Sequence, residues 1–315
     1  MRLVTFTLKK GIPKERAPRF GALIGDGKYV LDFMAAIESE QPPAKPMARP
    51  RLLTWFDLDG DWLPKARQLF DSIVKDRGTI KTPRKQRMLT VHKRSEVRVL
   101  APVLRPGKLI AIGLNYRDHA AESNQPIPKS PVVFSKFTTA VIGPEQPVIL
   151  PPMCSQVDYE AELAVVIGRT AKRVAPEDAM DYVLGYTNFN DVSARDFQFS
   201  DGQWQRGKSC DTFAPMGEYI ATTDEIRDPQ KLSIQLRLNG RAMQDSSTSQ
   251  MVFGVPELVS FLSETITLEP GDMIATGTPP GVGFARKPPV FLKNGDLMEV
   301  EIEGLGVLRN PVKAG

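Results

Sequence analysis

Three acidic residues alternate with other side chains at the start of the segment VDYEAELAVVIG, residues 157–168. Side chains alternate faces along a strand, so a continuous strand would point Asp158, Glu160 and Glu162 the same way. The segment continues into a run apolar enough to be buried on both faces, where adjacent carboxylates repel and lose hydration unless a cation joins them. Carboxylates suit Mg²⁺, Mn²⁺ or Ca²⁺ rather than Zn²⁺. An acidic solvent face on an edge strand remains an equal alternative.

A fourth acidic residue, Asp191, follows an apolar-aromatic segment at the point where a strand gives way to a turn. Ligands are often bound at such strand ends, although a lone Asp there commonly only caps the turn. Arg195 and Lys208 are candidate anchors for a substrate carboxylate or a developing enolate. Each of these cations taken alone is more typical of a protein surface.

His119 is one of only two histidines, and it lies in the segment LNYRDHAAE. On a helix, His119 and Glu122 would share a face, so the carboxylate could orient and polarise the imidazole. Such a pair is common on protein surfaces, and it indicates a catalytic role only when other motifs accompany it. His92 lies among basic residues with no carboxylate nearby to orient it, and we give it no role. The only cysteines, Cys154 and Cys210, lack metal-type spacing and are expected to be buried or incidental thiols.

The loop TGTPPGVG at 276–283 offers backbone amides and hydroxyls after a strand. It lacks both the Gly-Lys-Ser/Thr sequence and the spaced glycines of nucleotide-binding loops. From its sequence alone it could also be a plain turn.

The elements that would position these groups are mostly short strands. From Lys108 onward, apolar segments are separated by Gly and Pro, which favours a β-rich domain over regular β-α-β alternation. We expect helices only at 118–123, 176–182 and 256–264 in this part. The expected strands are Leu109–Gly113, Val132–Phe134, Leu163–Gly168, Ile234–Leu238, Asp272–Thr276 and Leu297–Ile302.

The first hundred residues are expected to form a separate small α+β unit. Arg2–Thr7 and Phe20–Leu31 alternate like strands, a proline-rich stretch covers 41–51, and a helix opens at Pro64. We place the boundary near residue 100, which gives domains 1–100 and 101–315.

The charge distribution limits the classes of partner. The net charge is +4, and the excess lies at 81–98, which we interpret as a solvated linker because it lacks the interleaved aromatics of single-strand binders. No apolar run approaches the roughly 18 residues of a membrane span, and no secretory signal opens the chain. A cytoplasmic protein without nucleic-acid or membrane partners is therefore expected.

Taken in order, five segments resemble the fumarylacetoacetate hydrolase family. They cover about residues 100–315, and each is weak alone but specific in combination. The segments are IGLNYRDHAAE (112–122), VDYEAELAVVIG (157–168), GYTNFNDVSARDFQ (185–198), GKSCDTFAP (207–215) and GDMIATGTPPGVG (271–283).

The resemblance implies a mixed, mostly β-sheet roll, a homodimer and one Mg²⁺ or Mn²⁺ per subunit. It implies that Glu160, Glu162 and Asp191 bind the ion and that Asp158 is no ligand. It also implies that His119 and Glu122 form a water-activating dyad. The remaining residues fall where the family contacts a 2-oxo acid: Arg195, Gln198, Lys208 and Thr278. Ile112 occupies the place of an extra metal-binding Asp in the tyrosine-degrading branch, so the chain resembles the simpler bacterial and mitochondrial branch.

We therefore expect hydrolysis of a C–C bond in a small anionic acylpyruvate, such as fumarylpyruvate or acetylpyruvate in aromatic catabolism, through a pyruvate enolate. The ion and Lys208 would stabilise the enolate. Two reactions on the same site stay open as alternatives: oxaloacetate decarboxylation, and isomerisation or hydration of a 2-oxo-enoate. A non-catalytic small-acid binding protein is a further alternative, but it would not need the His119–Glu122 pair.

Overall fold

A computed structural model describes residues 1–10, 17–40, 55–75, 79–80, 90–122, 125–200 and 202–315. The proline-rich stretch at 41–51 and the part of the basic stretch at 81–89 lie outside these ranges. In the part of the chain that is described, no helix is long and apolar enough to cross a membrane.

The strands are β1 (Arg2–Leu8), β2 (Arg19–Ile24), β3 (Tyr29–Asp32), β4 (Val74–Lys75), β5 (Thr79–Ile80), β6 (Val91–Lys93), β7 (Val97–Val99), β8 (Leu109–Gly113), β9 (Val132–Ser135), β10 (Val141–Ile142), β11 (Val148–Leu150), β12 (Val157–Asp158), β13 (Ala161–Ile167), β14 (Val183–Asn190), β15 (Ser193–Ala194), β16 (Ala214–Pro215), β17 (Ile220–Thr222), β18 (Ser233–Leu238), β19 (Arg241–Ser247), β20 (Met273–Ala275), β21 (Leu297–Ile302) and β22 (Gly306–Ala314). The α-helices are α1 (Phe33–Glu40), α2 (Trp62–Ile73), α3 (Arg117–Glu122), α4 (Arg195–Gln198), α5 (Gln205–Lys208) and α6 (Val255–Thr265).

Two large sheets form most of the described part of the chain, with the short pairs β4–β5, β10–β16 and β12–β15 beside them. The expected mostly β fold is confirmed. The larger sheet runs β6-β3-β2-β1-β17-β14-β13-β20-β8-β9, with β7 also paired to β1, and the smaller runs β11-β22-β21-β18-β19. Most neighbours are antiparallel; β20–β8 and β11–β22 are parallel. The sheet is continuous between the first hundred residues and the rest, because β1 pairs with β17. The domain boundary near residue 100 stays a prediction.

Strand β13 lies at the centre of the fold and is buried on both faces, as its apolar sequence predicts. Leu163, Val165 and Ile167 pack into the core cluster that also holds residues of the smaller sheet and α6. Ala164 and Val166 pack into a second cluster with the N-terminal strands. Glu162 immediately precedes these apolar positions and is only 1% exposed. A carboxylate at this depth needs a cation or hydrogen-bond donors.

Three expectations differ from the structure. Residues 91–93 and 97–99, expected to be linker, form β6 and β7, because their backbones pair with β3 and β1. The helix expected at 176–182 is only a 3₁₀ turn at Ala179–Tyr182, with backbone hydrogen bonds spanning three residues, such as Ala179 N to the Pro176 carbonyl. The segment 157–168 is interrupted at Tyr159 and Glu160, where no strand is formed.

Candidate active site

The pairing of β13 with β14 brings three of the predicted carboxylates together. Ala161 lies opposite Asn190 in this antiparallel register, so Asp191, which follows β14, comes beside the residues that flank Ala161. The Asp191 amide donates to the Glu160 carbonyl at 2.9 Å, and the Glu160 amide donates to Asn190 Oδ1 at 3.0 Å. The break between β12 and β13 is therefore held in place by β14 and its end.

The carboxylate triad formed by Glu160, Glu162 and Asp191 has the geometry of an ion site. All three are buried, and one oxygen from each lies within 4.8 Å of the others. An octahedral ion with bonds of about 2.1 Å separates its ligand oxygens by about 3–4.2 Å. The three residues thus fit a hard divalent cation such as Mg²⁺ or Mn²⁺.

Three buried cations surround the carboxylate triad. Lys208 Nζ donates to Glu160 Oε2 at 2.7 Å and to Asp191 Oδ2 at 2.8 Å. Arg195 Nη2 donates to Glu160 Oε1 at 2.6 Å. Lys136 Nζ donates to Asp191 Oδ1 and to the Val192 carbonyl. Sequence reasoning missed Lys136; its signal was a lone lysine in the apolar segment PVVFSKF.

Asp158 stands apart from the triad, as the resemblance implied. Its carboxylate accepts from Arg195 Nη2 at 2.9 Å and from the amides of Gly283 and Phe284 at 2.7 and 2.9 Å. The expectation that it faces the same way as Glu160 and Glu162 on one strand is not met, because the strand is broken between them. Asp158 instead ties Arg195 to the loop that follows β20.

The charges around the triad do not balance when all four of its nearby carboxylates are ionised. Asp158, Glu160, Glu162 and Asp191 face Lys136, Arg195 and Lys208, so four negative and three positive groups leave a formal charge of −1. Burial opposes ionisation of Glu160, but Lys208 and Arg195 outweigh it and lower the pKa of Glu160 to about 2.

Glu162 behaves in the opposite way to Glu160. Burial, together with the charges of Asp191 and Glu160, raises the pKa of Glu162 well above its ordinary value. A divalent cation among the three oxygens would supply the charge that lets Glu162 ionise, so the donor set fits such an ion.

The predicted dyad is formed on helix α3. His119 Nδ1 lies 3.2 Å from Glu122 Oε2, and His119 is buried. The Gly281 amide donates to both oxygens of Glu122 at 3.0 and 3.1 Å. Partial burial opposes ionisation of Glu122, but the hydrogen bonds from His119 and Gly281 hold its pKa below the ordinary value. The carboxylate is therefore charged and able to orient the imidazole.

The loop after β20 connects the dyad to the carboxylate triad, so it is more than a plain turn. The Gly277 amide donates to Glu162 Oε2 at 2.9 Å, while Gly281 holds Glu122. Gly277 has a φ of +98°, and a Cβ there would lie 2.8 Å from the Asn115 side chain. This position thus requires glycine.

A single cavity of about 520 Å³ collects every predicted site residue except Asp191, which is fully buried behind Glu160 and Lys208. Gln198 lies in the same wall and accepts from Arg195 Nη1 at 2.9 Å. Polar groups thus occupy one part of the wall, and the large apolar side chains of the lining are Ile112, Leu114, Phe134, Phe199, Trp204 and Phe284. Such a mixture is typical of a small-molecule site.

The residues given no role lie elsewhere, with one correction. His92 does have an orienting carboxylate, because its Nε2 lies 3.2 Å from Asp32 Oδ2, which also accepts from Arg19. Cys154 and Cys210 are half-buried. Burial and the Asp196 carboxylate raise the pKa of Cys154 to about 12, which makes this thiol a poor nucleophile.

The chain is similar in sequence to known proteins. The family model described as fumarylacetoacetate (FAA) hydrolase C-terminal matches residues 108–313. The mitochondrial oxaloacetate tautomerase FAHD2A of Bos taurus is 53% identical over 226 residues, which are 71% of this chain and 72% of that protein. The mitochondrial oxaloacetate tautomerase fahd2 of Xenopus laevis is 42% identical over 314 residues, 99% of this chain and 90% of that protein.

Solved structures match over the whole chain. A fumarylacetoacetate hydrolase from psychrophilic Exiguobacterium antarcticum has a TM-score of 0.76 and 34% identity, with 100% of both chains covered. A 5-carboxymethyl-2-hydroxymuconate delta-isomerase from Mycobacterium smegmatis has a TM-score of 0.73 and 34% identity, again with 100% of both chains covered. These similar proteins carry the names of a hydrolase, an isomerase and tautomerases.

Proposed function

The chain belongs to the fumarylacetoacetate hydrolase family, and on that premise we propose that it is an Mg²⁺- or Mn²⁺-dependent keto–enol tautomerase of a 2-oxo acid, with oxaloacetate the first substrate to test. The observation that carries the proposal is the cavity shared by the His119–Glu122 dyad, the carboxylates Glu160 and Glu162, and Lys208. Tautomerisation needs one group that moves a proton and others that stabilise charge on the 2-oxygen, and these residues supply both. The names of the bovine and Xenopus relatives support oxaloacetate as the substrate.

His119 is the proton-transfer group in this proposal. With its proton on Nδ1 and donated to Glu122, the imidazole has a free lone pair on Nε2. Nε2 takes the proton from C3 of the oxo form, and the electrons of the C–H bond form the C2–C3 double bond while the carbonyl electrons move to the 2-oxygen. The imidazolium then returns the proton to this oxygen and gives the enol. The charged Glu122 carboxylate stabilises the imidazolium between the two steps.

Lys208 stabilises the negative charge that develops on the 2-oxygen. Burial lowers its pKa, but the charges of Asp191 and Glu160 more than offset this and leave the pKa above its ordinary value. Lys208 therefore keeps its proton and acts electrostatically, not as an acid. A divalent cation held by the carboxylate triad would add Lewis-acid stabilisation of the same oxygen.

Substrate binding is assigned to the remaining polar wall. Arg195 uses Nε and Nη2 on Asp158 and Glu160, and one Nη1 proton on Gln198. A guanidinium has five N–H donors, so Arg195 keeps capacity for one more acceptor, such as a carboxylate oxygen of the acid. Thr278 offers a hydroxyl from the opposite loop.

Hydrolysis of an acylpyruvate, which the sequence led us to expect first, is the second candidate. The cavity favours it in one respect, because its volume of about 520 Å³ falls within the range of about 300–1,000 Å³ that accommodates drug-sized ligands, which leaves room for an acid longer than oxaloacetate. The same dyad would then take a proton from water, which attacks the distal carbonyl and cleaves the C–C bond.

The decisive experiment adds the enol form of oxaloacetate and follows loss of enol absorbance, with the oxo product trapped by a keto-specific dehydrogenase. Wild type with Mg²⁺ should convert the enol faster than Mg²⁺ alone, and Glu160→Ala protein with Mg²⁺ should match the protein-free rate. Pyruvate release from acylpyruvates is measured in parallel. A wild-type rate equal to the protein-free rate would refute the tautomerase proposal, and acylpyruvate turnover in that case would place hydrolysis first.

A further inference from the structure

Gln244 is a buried amide that joins the strand of the carboxylates to the loop of the substrate wall. It lies on β19 of the smaller sheet and is 1% exposed. Its Oε1 accepts from the Ala161 amide at 2.8 Å, and Ala161 lies between the triad members Glu160 and Glu162. Its Nε2 donates to Thr278 Oγ1 and to the Pro279 carbonyl, both at 2.8 Å.

The partners of Gln244 fix the direction of each hydrogen bond. The Ala161 amide can only donate and the Pro279 carbonyl can only accept, so the oxygen and nitrogen of the Gln244 amide cannot be exchanged. Nε2 must therefore donate to Thr278 Oγ1. A hydroxyl that accepts in this way still has its own O–H to donate elsewhere. Thr278 lines the cavity and is 5% exposed, so this O–H is available to a bound ligand.

We propose that Gln244 is a positioning residue that makes the Thr278 hydroxyl a hydrogen-bond donor to a carboxylate oxygen of the bound 2-oxo acid. The inference rests on the proposed function only in placing such an acid in the cavity. Hydrogen bonds to a charged oxygen are roughly twice as strong as neutral ones, so a pre-set donor favours an anion. Thr278 Oγ1 and the Pro279 carbonyl each accept from the Gln244 Nε2 amino group. Without Gln244, the Thr278 hydroxyl would lose the donor that fixes its orientation and would no longer be held as a donor toward the ligand.

A double-mutant cycle with Mg²⁺-saturated protein tests this route. Oxalate, an unreactive mimic of the 2-oxo acid head group, is the probe, and its Kd is measured by isothermal titration calorimetry. Thr278→Val should weaken oxalate binding about tenfold, since a hydrogen bond to a charged group is lost, and Gln244→Met about three- to tenfold. If Gln244 acts through the Thr278 hydroxyl, the double variant should bind oxalate within about twofold of Thr278→Val alone.

Controls separate this role from a general structural one. Thr278→Ser keeps the hydroxyl and should restore the wild-type Kd to within about threefold. Gln235→Met changes a half-buried glutamine that bonds Arg237 in the smaller sheet, and should leave the Kd within about twofold. With substrate, the effect of Gln244→Met should appear in KM more than in kcat.

Three results would overturn the inference: a double variant weakened by the product of the two single effects, a Thr278→Val Kd equal to that of wild type, or no oxalate binding by wild type. If Gln244→Met does not fold, the comparison of Thr278→Val with Thr278→Ser still tests the inference. An equal Kd for these two variants would show that the Thr278 hydroxyl takes no part in oxalate binding. Oxalate binding does not depend on turnover. The expected pattern in a protein without tautomerase activity would leave this inference standing while the proposed function fails.

Discussion

Replacing His119 by alanine should remove the proton-transfer group and leave the rest of the site in place. Helix α3 has other anchors that do not involve the imidazole: Arg117 donates to the Met251 carbonyl, and Asp118 accepts from the Ser246 hydroxyl at 2.5 Å. Glu122 is held independently by the Gly281 amide. The triad should therefore keep its geometry in the variant, and the change tests chemistry more than folding.

The size of the loss follows from what remains. Removing a general base typically costs about 10²–10⁴ in rate, or about 2.7–5.4 kcal/mol in the barrier. Glu122 stays charged and fixed 3.2 Å from the position of the lost Nδ1, so it can take a proton through one intervening water. We therefore expect the lower half of the range, about 10²–10³, for tautomerisation of oxaloacetate.

Oxaloacetate decarboxylation needs the ion and Lys208 to stabilise the developing negative charge, but it needs no base. In His119→Ala it should stay within about tenfold of wild type, a bound well below the usual loss for a missing base, whereas Glu160→Ala should abolish both reactions.

The assay compares wild type, His119→Ala and Glu160→Ala on two reactions in the same buffer. Enol loss reports tautomerisation, and CO₂ release reports decarboxylation, each corrected for free Mg²⁺. Circular dichroism and Mg²⁺ binding confirm that His119→Ala is folded and loaded. If His119→Ala slowed both reactions equally, the histidine would hold the helix or the substrate. If tautomerisation stayed within about threefold, well short of the loss expected for a base, another group would be the base.

Excess EDTA should abolish activity, and added Mg²⁺ or Mn²⁺ should restore it. Replacing any one triad carboxylate by alanine should release the ion. Unchanged metal content by atomic absorption in all three alanine variants would contradict the ion site. Asp32→Asn should lower the free energy of unfolding by about 1.5–3 kcal/mol, since it removes a buried charged acceptor that contacts both Arg19 and His92. Asp26→Asn in an exposed turn should change the free energy of unfolding little, as urea titration would show. Burial opposes ionisation of Asp32, but His92 and Arg19 lower its pKa overall. The contribution of ionised Asp32 to folding stability is therefore complete above the unfolded-state pKa of about 3.9 and is lost as the pH falls through the lower folded-state pKa. Below about pH 4 the wild type should therefore approach the variant in stability, and a constant difference down to acid unfolding would show that Asp32 contributes no such linkage. His92→Ala should keep turnover within about threefold despite the lost Asp32 contact, since the His92 ring contacts Asp32 and Phe6, which lie outside the site. A hundredfold loss in a folded variant would mean that the wrong histidine was chosen.

Local pattern was enough to predict some of the strands, among them β1, β8, β13 and β18, and the contact between His119 and Glu122. The alternation in β1 and the apolar run in β13 are short-range signals, and His119 and Glu122 meet because they are three residues apart on one helix. Predicting the carboxylate triad required one long-range contact, the pairing of β13 with β14. The family resemblance implied the three ligands but not the geometry that brings them together. The break at Tyr159 and Glu160 has no local signal, because Asp158 turns toward Gly283 and Phe284 more than a hundred residues away.

Residues that act through distant partners escaped the sequence for the same reason. Lys136 is 55 residues from Asp191, His92 is 60 from Asp32, and Gln244 is 83 from Ala161. Each of these contacts depends on which strands become neighbours, and strand order is set by the whole chain. A lone polar residue in an apolar segment signals that a partner exists, but it does not say where.

The charge balance gives the ion a second task besides stabilising the 2-oxygen. Around the triad the side chains sum to −1 when Glu162 is ionised and to zero when it is protonated, so without the ion an anionic acid entering the cavity would gain no net attraction from its deepest wall. A divalent cation changes the sum to +1 and makes the same wall attractive to an anion. Lys208 and Arg195 cannot do this alone, because each is already bound to carboxylates. Substrate affinity and catalysis should therefore both depend on the ion, and the ion is expected to bind before the acid.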